Sequence, residues 1–447
     1  MKKLDFIVSN ETSNLRFENY QDFIKQEYKF IKKSEENALF TLTHRDFQQI
    51  RRILKDIGEE IKNLPLHYVI VFGSASDEEI KSFSAYLQKN DYNNIILVET
   101  LANLGSGGGY SLGLEYILGK KYKNVIFLED DVEVLDKDTI FDILANIDEK
   151  TIVHTLCKNN LDEHGKYNKS RFIHCTGYPT SFFEKAGNHD PRYFGRSDDL
   201  DFIYRVDNAV VQYGYERKII DKYHIHPNHK SSVLKMRFIY MVMRNHLYTC
   251  SKQGIIALLK YLPVVFGYIW SGVLQCLSGY FTALYATIRG IFDFIFRKKT
   301  HTYNQQIMNS SWSQKIHQPK YKRKERIKIE DLQSILANVY QTIGVYSEDA
   351  YLHLKLKNKV SNIFKHGTLD LSYYDPLYPI DLLGPQTYIV DDIDYTAKTC
   401  TLTEIKNGNG IVRYIYLIFS FIFSVIIFFI LLPFIIVRGI FTSKYKF

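Results

Sequence analysis

The sequence predicts an α/β domain on a mostly parallel sheet with flanking helices, then membrane-associated helices and one transmembrane helix. Three observations predict it. From Ala38 onward, short apolar runs alternate with segments of helical apolar spacing, as strand–helix–strand units require. A glycine-rich turn, Asn103 to Gly109, is followed by an apolar strand that ends in three consecutive carboxylates. Near the C-terminus, Tyr414 to Val437 is a run of roughly 24 uncharged, mostly apolar residues, long enough to span a bilayer.

Residues 1–37 are mixed and charged, and read as an N-terminal extension with one helix, Tyr20 to Lys33. Ala38 to Thr43 is the first buried strand. His44 to Asn63 follows as a helix, with Phe47, Ile50, Ile53, Leu54, Ile57 and Ile61 on one face. His67 to Phe72 is the second strand. Gly73 to Asp77 is turn chemistry leading into a helix, with Ser76 as its N-cap. Asn94 to Val98 is the third strand and Val125 to Leu128 the fourth. Ligands of such sheets bind beyond the carboxyl ends of the strands. The Gly73, Asn103 and Glu129 segments all lie at such ends, so they can converge on one site. A dinucleotide-binding turn does not fit: counted from Gly105 and Gly107, the last glycine of GxGxxG falls on Tyr110.

Glu129, Asp130 and Asp131 end the fourth strand. Three adjacent like charges repel, and burial raises their pKa values. A hard cation such as Mg²⁺ or Mn²⁺, bound through oxygen and holding phosphates in turn, removes that conflict. Taken alone, the triplet also suits a solvated loop; the glycine turn upstream favours the site.

The order of NLG, glycines, helix, strand and acidic triplet resembles the family 2 glycosyltransferases, nearest to their galactofuranosyl- and rhamnosyl-transferase branch. The resemblance covers about residues 38–250. It implies a GT-A fold, a nucleotide-diphosphate sugar as donor, and a bound Mg²⁺ or Mn²⁺. On it, Thr43, Asn103, Gly105, Gly107, Gly108 and Asp130 are donor-binding residues. Asp131 and Glu129 are metal ligands, Asp131 the surer of the two. Phe194 to Arg205, FGRSDDLDFIYR, matches the family's (E/D)D-x-(D/E)-x-x-x-R element. It makes Asp199 the general base that deprotonates the acceptor, with Asp198, Asp201 and Arg205 in acceptor or supporting roles. The same residues also read as a helix start with acids at its positive end and an Asp201–Arg205 pair. Gly187 to Phe194 resembles the GGFDExxF turn that precedes this element. The branch also places a metal-binding histidine on a strand about twenty residues before an Arg-Asn pair. His224, His226 and His229 are the candidates, with Arg244-Asn245 as the pair. His224 is favoured narrowly over His226.

One departure is clear. The family's second strand usually ends in an aspartate that binds the nucleobase, and here Phe72 or Gly73 stands in its place.

Net charge is +8, and residues 297–328 alone hold ten Lys and Arg against one acid, Glu325. Next to apolar segments, such a patch points to an anionic membrane surface. No nucleic-acid recognition motif accompanies it. Aromatic content is high, with 34 Tyr and 30 Phe; these suit sugar stacking and membrane interfaces, and equally a compositional bias. The five cysteines are scattered, with neither a CxxC pair nor a disulfide framework, as in a reducing compartment. The N-terminal residues lack the apolar run of a signal peptide.

Residues 251–330 therefore read as an amphipathic and basic membrane-surface region. Within it, Tyr261 to Ile288 lies in the interface, because one more span would put the basic segment outside. Residues 331–410 form a small C-terminal region with a hairpin in TYIVDDIDYTAKTCTLTE. Residues 411–447 are the transmembrane helix and tail.

The expectation is a metal-dependent inverting glycosyltransferase at the cell membrane, its catalytic domain cytoplasmic, acting on a glycan or lipid-linked acceptor. Processive synthases usually carry QxxRW, which is absent; Trp270 and Trp312 are the only tryptophans. The rivals are a non-catalytic sugar-nucleotide or glycan-binding membrane protein, and a membrane scaffold that explains only residues 255–447.

Overall fold

The computed structural model describes residues 5–9, 15–44, 47–73, 75–161, 167–169, 174–225, 234–277, 281–296, 300–317, 321–328, 344–347, 386–394, 399–406 and 410–443. The chain divides into two compact units. The first holds Met1–Pro227 with Lys299–Gln305, and the second holds Asn228–Lys298 with Gln306–Lys444.

In chain order the first unit carries β1 (Ile24–Ile31), β2 (Asn37–His44), α1 (Gln48–Asn63), β3 (Leu66–Gly73), α2 (Asp77–Lys89), β4 (Asn94–Thr100), α3 (Gly105–Gly119) and β5 (Asn124–Leu128). It continues with β6 (Glu133–Val134), α4 (Thr139–Asn146), β7 (Thr151–Leu161), β8 (Tyr167–Lys169), β9 (Cys175–Pro179), α5 (Phe183–Ala186), α6 (Asp198–Tyr213) and β10 (Glu216–Ile225). One sheet runs in the order β1-β4-β3-β2-β5-β9-β7-β10-β6, with β8 beside β7. The β4-β3-β2-β5 block is parallel. Antiparallel β9 joins that block to the parallel pair of β7 and β10. The expected mixed α/β fold with a mostly parallel sheet is present.

Strand alternation sorts the core onto two faces. Leu39, Tyr68, Ile70, Leu97 and Ile126 point one way, onto α1, α2 and α4 through Ile53, Ile57, Phe83 and Ile143. Phe40, Val69, Val71, Val98 and Phe127 point the other way, onto α3 and α6 through Leu112, Tyr110 and Phe202. Ser76 caps α2 as expected, in a capping box with Glu79.

The first difference lies in the N-terminal residues. Tyr20 to Lys33 is not a helix: Tyr20–Phe23 is a single 3₁₀ turn, and β1 then pairs antiparallel with β4. Tyr20, Phe23, Ile24, Phe30 and Ile31 fit a helical period, but Tyr28 and Phe30 also alternate. Those two pack against the core shared by β3 and β4, so tertiary pairing decides. The expected 1–37 extension is thereby part of the sheet. The expected boundary at 250 differs too, because the division falls after Pro227.

The second unit carries β11 (Leu234–Lys235), α7 (Met236–Lys252), α8 (Ile255–Leu277) and α9 (Phe281–Phe296). α10 (His301–Met308) is divided between the units at Gln305. β12 (Ile316–His317), β13 (Tyr321–Lys328), β14 (Gly344–Ser347), β15 (Gln386–Asp394), β16 (Thr399–Lys406) and α11 (Gly410–Ser443) complete it. The expected hairpin forms between β15 and β16, and the basic β13 pairs with β16. Within α11, the 24 residues Ile418–Phe441 are apolar and long enough to cross a membrane, with mean hydropathy 3.0. α8, expected in the interface, lies antiparallel along α11. Trp270 Nε1 donates to Ser420 Oγ at 2.9 Å, Phe266 meets Phe421 and Phe428 edge-on, and Leu258 fills the space over Gly439.

Candidate functional site

The acidic turn begins where β5 ends. Its backbone is held from two sides. Glu129 N–H donates to His174 O at 3.2 Å, and the Arg52 guanidinium donates to Asp130 O at 3.3 Å. Thr43, at the end of β2, donates its hydroxyl to Asp130 Oδ2 at 2.7 Å. Burial first, then the adjacent Asp131 charge, pushes the Asp130 carboxyl up, against the Thr43 hydrogen bond. Burial and like charge thus both disfavour the ionised form of Asp130.

Asp198 joins this cluster from α6. The loop before it carries two successive non-glycine residues in the left-handed region, Arg196 at φ 64° and Ser197 at φ 65°, a strained arrangement of the kind that clusters at functional sites. The Asp198 side chain accepts from Ser106 on α3. Asp198 is buried, whereas Asp199 is exposed. Burial, followed by the Asp199 charge, pushes the Asp198 carboxyl up to about 7. Tyr110 marks the convergence: burial and then the charges of Glu129, Asp130, Asp131 and Asp198 hold its hydroxyl well above its usual value. The acidic turn after β5 and Asp198 at the start of α6, 67 positions beyond Asp131, therefore both lie near enough to one tyrosine to act on its hydroxyl.

The glycines also have a packing role. α3 begins at Gly105 itself, so Gly107 and Gly108 are helical. Gly105 has φ +70°, and a Cβ there would collide with the Phe194 carbonyl. A Cβ at Gly107 would meet the Tyr193 carbonyl, and one at Gly108 the Leu104 side chain. Here the glycines admit the 190–197 loop onto α3, which is how Asp198 reaches Ser106. Asn103 Oδ1 accepts from Gly105 N–H at 2.9 Å and so caps the turn; its carbonyl accepts from Gln305.

Asp201 and Arg205 form a buried pair at 3.2 Å. Arg205 Nη1 also donates to Ala186 O at 2.7 Å, tying α6 to α5. This is the intrahelical pair that the sequence allowed as the plainer reading. His189 stands at the phenylalanine position of the GGFDE-like turn and packs like one, its ring centroid 3.8 Å from that of Phe202. Burial, then Arg205, holds its pKa well below the usual value, so it is neutral.

His224 lies on β10, as expected of a strand-borne histidine. It is buried and opposite Cys157 on β7. His226 lies outside the described residues, as does His229. Sequence reasoning missed Ser106, Tyr110, Arg52, Cys157 and His174. Ser106 lies within the NLGSGGG turn and Tyr110 directly after it, but no motif marks Arg52, Cys157 or His174, which only the fold brings in.

No protein-family model matches the chain, and no curated protein matches it. Solved structures do. GalNAc-T7 with UDP, GalNAc and Mn²⁺ is 11% identical at a TM-score of 0.37, over 49% of this chain and 48% of that one. The chain thus spans about half that protein's length. The mannosyltransferase PcManGT from Pyrobaculum calidifontis, in complex with GDP-Man and Mn²⁺, is 11% identical at 0.37, over 60% and 89%. S. aureus TarS 1–349 is 13% identical at 0.34, over 65% and 94%.

Proposed function

We propose that this chain is a membrane-attached, metal-dependent, inverting glycosyltransferase that moves a sugar from a nucleotide-diphosphate donor to a glycan or lipid-linked glycan in cell-surface polysaccharide synthesis. The observation that carries the reading is the convergence of Glu129, Asp130, Asp131 and Asp198 around Tyr110, at the carboxyl ends of parallel strands.

The acidic turn fits a hard divalent cation. Its donors are oxygen, and burial, with the adjacent Asp131 charge, holds the Asp130 carboxyl up, a conflict that a bound cation would relieve. Asp131, the surer ligand of the turn, would hold Mg²⁺ or Mn²⁺, which when bound would neutralise charge on the departing nucleoside diphosphate. Thr43 fixes the Asp130 carboxylate on the donor side. Asp199, exposed at the start of α6, is open to an incoming acceptor. It takes the hydroxyl proton as the new C–O bond forms and the sugar–phosphate bond breaks on the opposite face. Asp198 is the buried neighbour whose protonation sets the charge beside that base. α11 would anchor the chain with the acceptor in reach, and the catalytic unit on the cytoplasmic side.

The test is a donor screen with the purified full-length protein and Mn²⁺, following release of free nucleotide with and without candidate acceptors. Turnover that stops with chelator and in Asp131→Ala supports the reading. Tight nucleotide-sugar binding without turnover under any acceptor would favour a non-catalytic binder.

A further inference from the structure

Where the acidic turn meets the sheet, side chains associated with four strands come together. Cys157 on β7 stands opposite His224 on β10. His174 precedes β9, whose Cys175 pairs with Leu128, and Glu129 follows Leu128. Cys157 and His224 are buried, His174 half-buried. Ligand atoms of Cys157, His174 and His224 lie within 4.8 Å of one another, and His174 Nε2 is 3.3 Å from Glu129 Oε2.

We propose that Cys157, His174 and His224, closed by Glu129, form a tetrahedral site for a zinc-class ion, distinct from the hard-oxygen cation at Asp131. It goes beyond the transferase reading and does not rest on it.

Three arguments lead there. The first is spacing. With Zn–N near 2.0–2.1 Å and Zn–S near 2.3 Å, the edges of a tetrahedron are about 3.4–3.6 Å. The His174–Glu129 separation of 3.3 Å is close to such an edge, and the Cys157, His174 and His224 atoms, all within 4.8 Å of one another, need approach by about 1 Å at most edges.

The second is tautomer. Thr155 Oγ1 donates its one proton to Cys175 O at 3.0 Å. At His224 Nδ1, 2.9 Å away, the hydroxyl must therefore accept. That places the His224 proton on Nδ1 and the lone pair on Nε2. Metal-binding imidazoles ordinarily make this hydrogen bond with their other nitrogen.

The third is charge and softness. One thiolate, one carboxylate and two neutral imidazoles balance a 2+ ion, so the buried assembly is neutral. The Cys157 proton leaves to solvent on binding. Sulfur and nitrogen donors select zinc over Mg²⁺ or Mn²⁺. With all four positions supplied by protein, the ion ties β5, β7, β9 and β10 together under the turn.

The experiment uses the full-length protein in detergent, stripped with chelator and titrated with Co²⁺ and then Zn²⁺. Expected are one equivalent of Co²⁺ with tetrahedral visible bands and a thiolate-to-cobalt charge-transfer band, displaced by Zn²⁺ and not by excess Mg²⁺. Cys157→Ser should lose the charge-transfer band and bind Zn²⁺ at least about 10-fold more weakly. His174→Gln, at a half-buried position, should weaken zinc similarly even if the serine variant folds poorly. No charge-transfer band, or unchanged affinity in His174→Gln, would overturn the proposal. Because no donor sugar enters the assay, a chain without transferase activity can pass it, and an active transferase can fail it.

Discussion

Replacing Asp198 by Asn tests whether the site holds a buried, uncompensated carboxylate. The unfolded side chain titrates near 3.8 and the folded one at about 7. Between these values the folded chain keeps a proton that the unfolded chain has released. Stability therefore falls as pH rises through this window and is level above it. The full effect is at most about 4 kcal/mol, of which roughly 2–3 kcal/mol falls between pH 5 and 8. Asn cannot ionise, so Asp198→Asn escapes that loss. Both tryptophans, Trp270 and Trp312, lie in the second unit, so their fluorescence would miss it. Hydrogen exchange of α3 and α6 amides, in chelator-treated protein, reads the right unit. Compared with wild type at the same pH, the variant should gain roughly 30- to 150-fold more protection at pH 8 than at pH 5. An equal ratio at both pH values would mean that Asp198 is not buried as an ion. Protection lost at pH 8 would reverse the sign of the argument.

Asp131→Ala should abolish metal-dependent nucleotide release; full activity of the wild-type protein in excess chelator would remove the metal from the mechanism. Asp199→Asn is nearly isosteric but cannot take a proton. It should keep donor affinity within a few-fold and lower kcat by roughly 10²–10⁴. If Asp198→Asn lowers kcat more, the two acids exchange roles. Deleting residues 411–447 removes α11 and uncovers Leu258, Phe266 and Trp270 on α8. The truncated chain should still sediment with anionic vesicles at low salt and be partly released at high salt. Complete solubility at low salt would refute a membrane role for both α8 and the basic segment.

The sheet order was legible wherever a strand is buried on both faces. LHYVIVFG and NIILVET read as continuous apolar runs, and both are wholly buried. β1 was not legible, because IKQEYKFI is an edge strand with charges at every second position from Lys25 to Lys29. Its partner is about seventy residues away, and no local pattern encodes such a pairing. The partner of α8 was not legible either: its apolar face reads alike against lipid headgroups or against another helix, and the structure sets it against α11.

At the site, residue types were legible and their burial was not. DD at the start of α6 names two acids, but which one is buried depends on the left-handed pair Arg196 and Ser197 before them. The NLGSGGG segment was read as donor-binding; that its want of side chains also seats the Phe194 loop on α3 was not legible. Cys157, His174 and His224 match no metal-binding spacing, since their proximity comes from the register of β7 with β10 and from β9 lying next to β7. The sheet that places the acidic turn also builds that cluster behind it. Variants of β9 or β10 that leave Asp131 untouched should therefore disturb both at once. Cys157→Ser, which removes only a ligand, should spare the turn. That contrast separates a metal-held scaffold from ordinary strand packing.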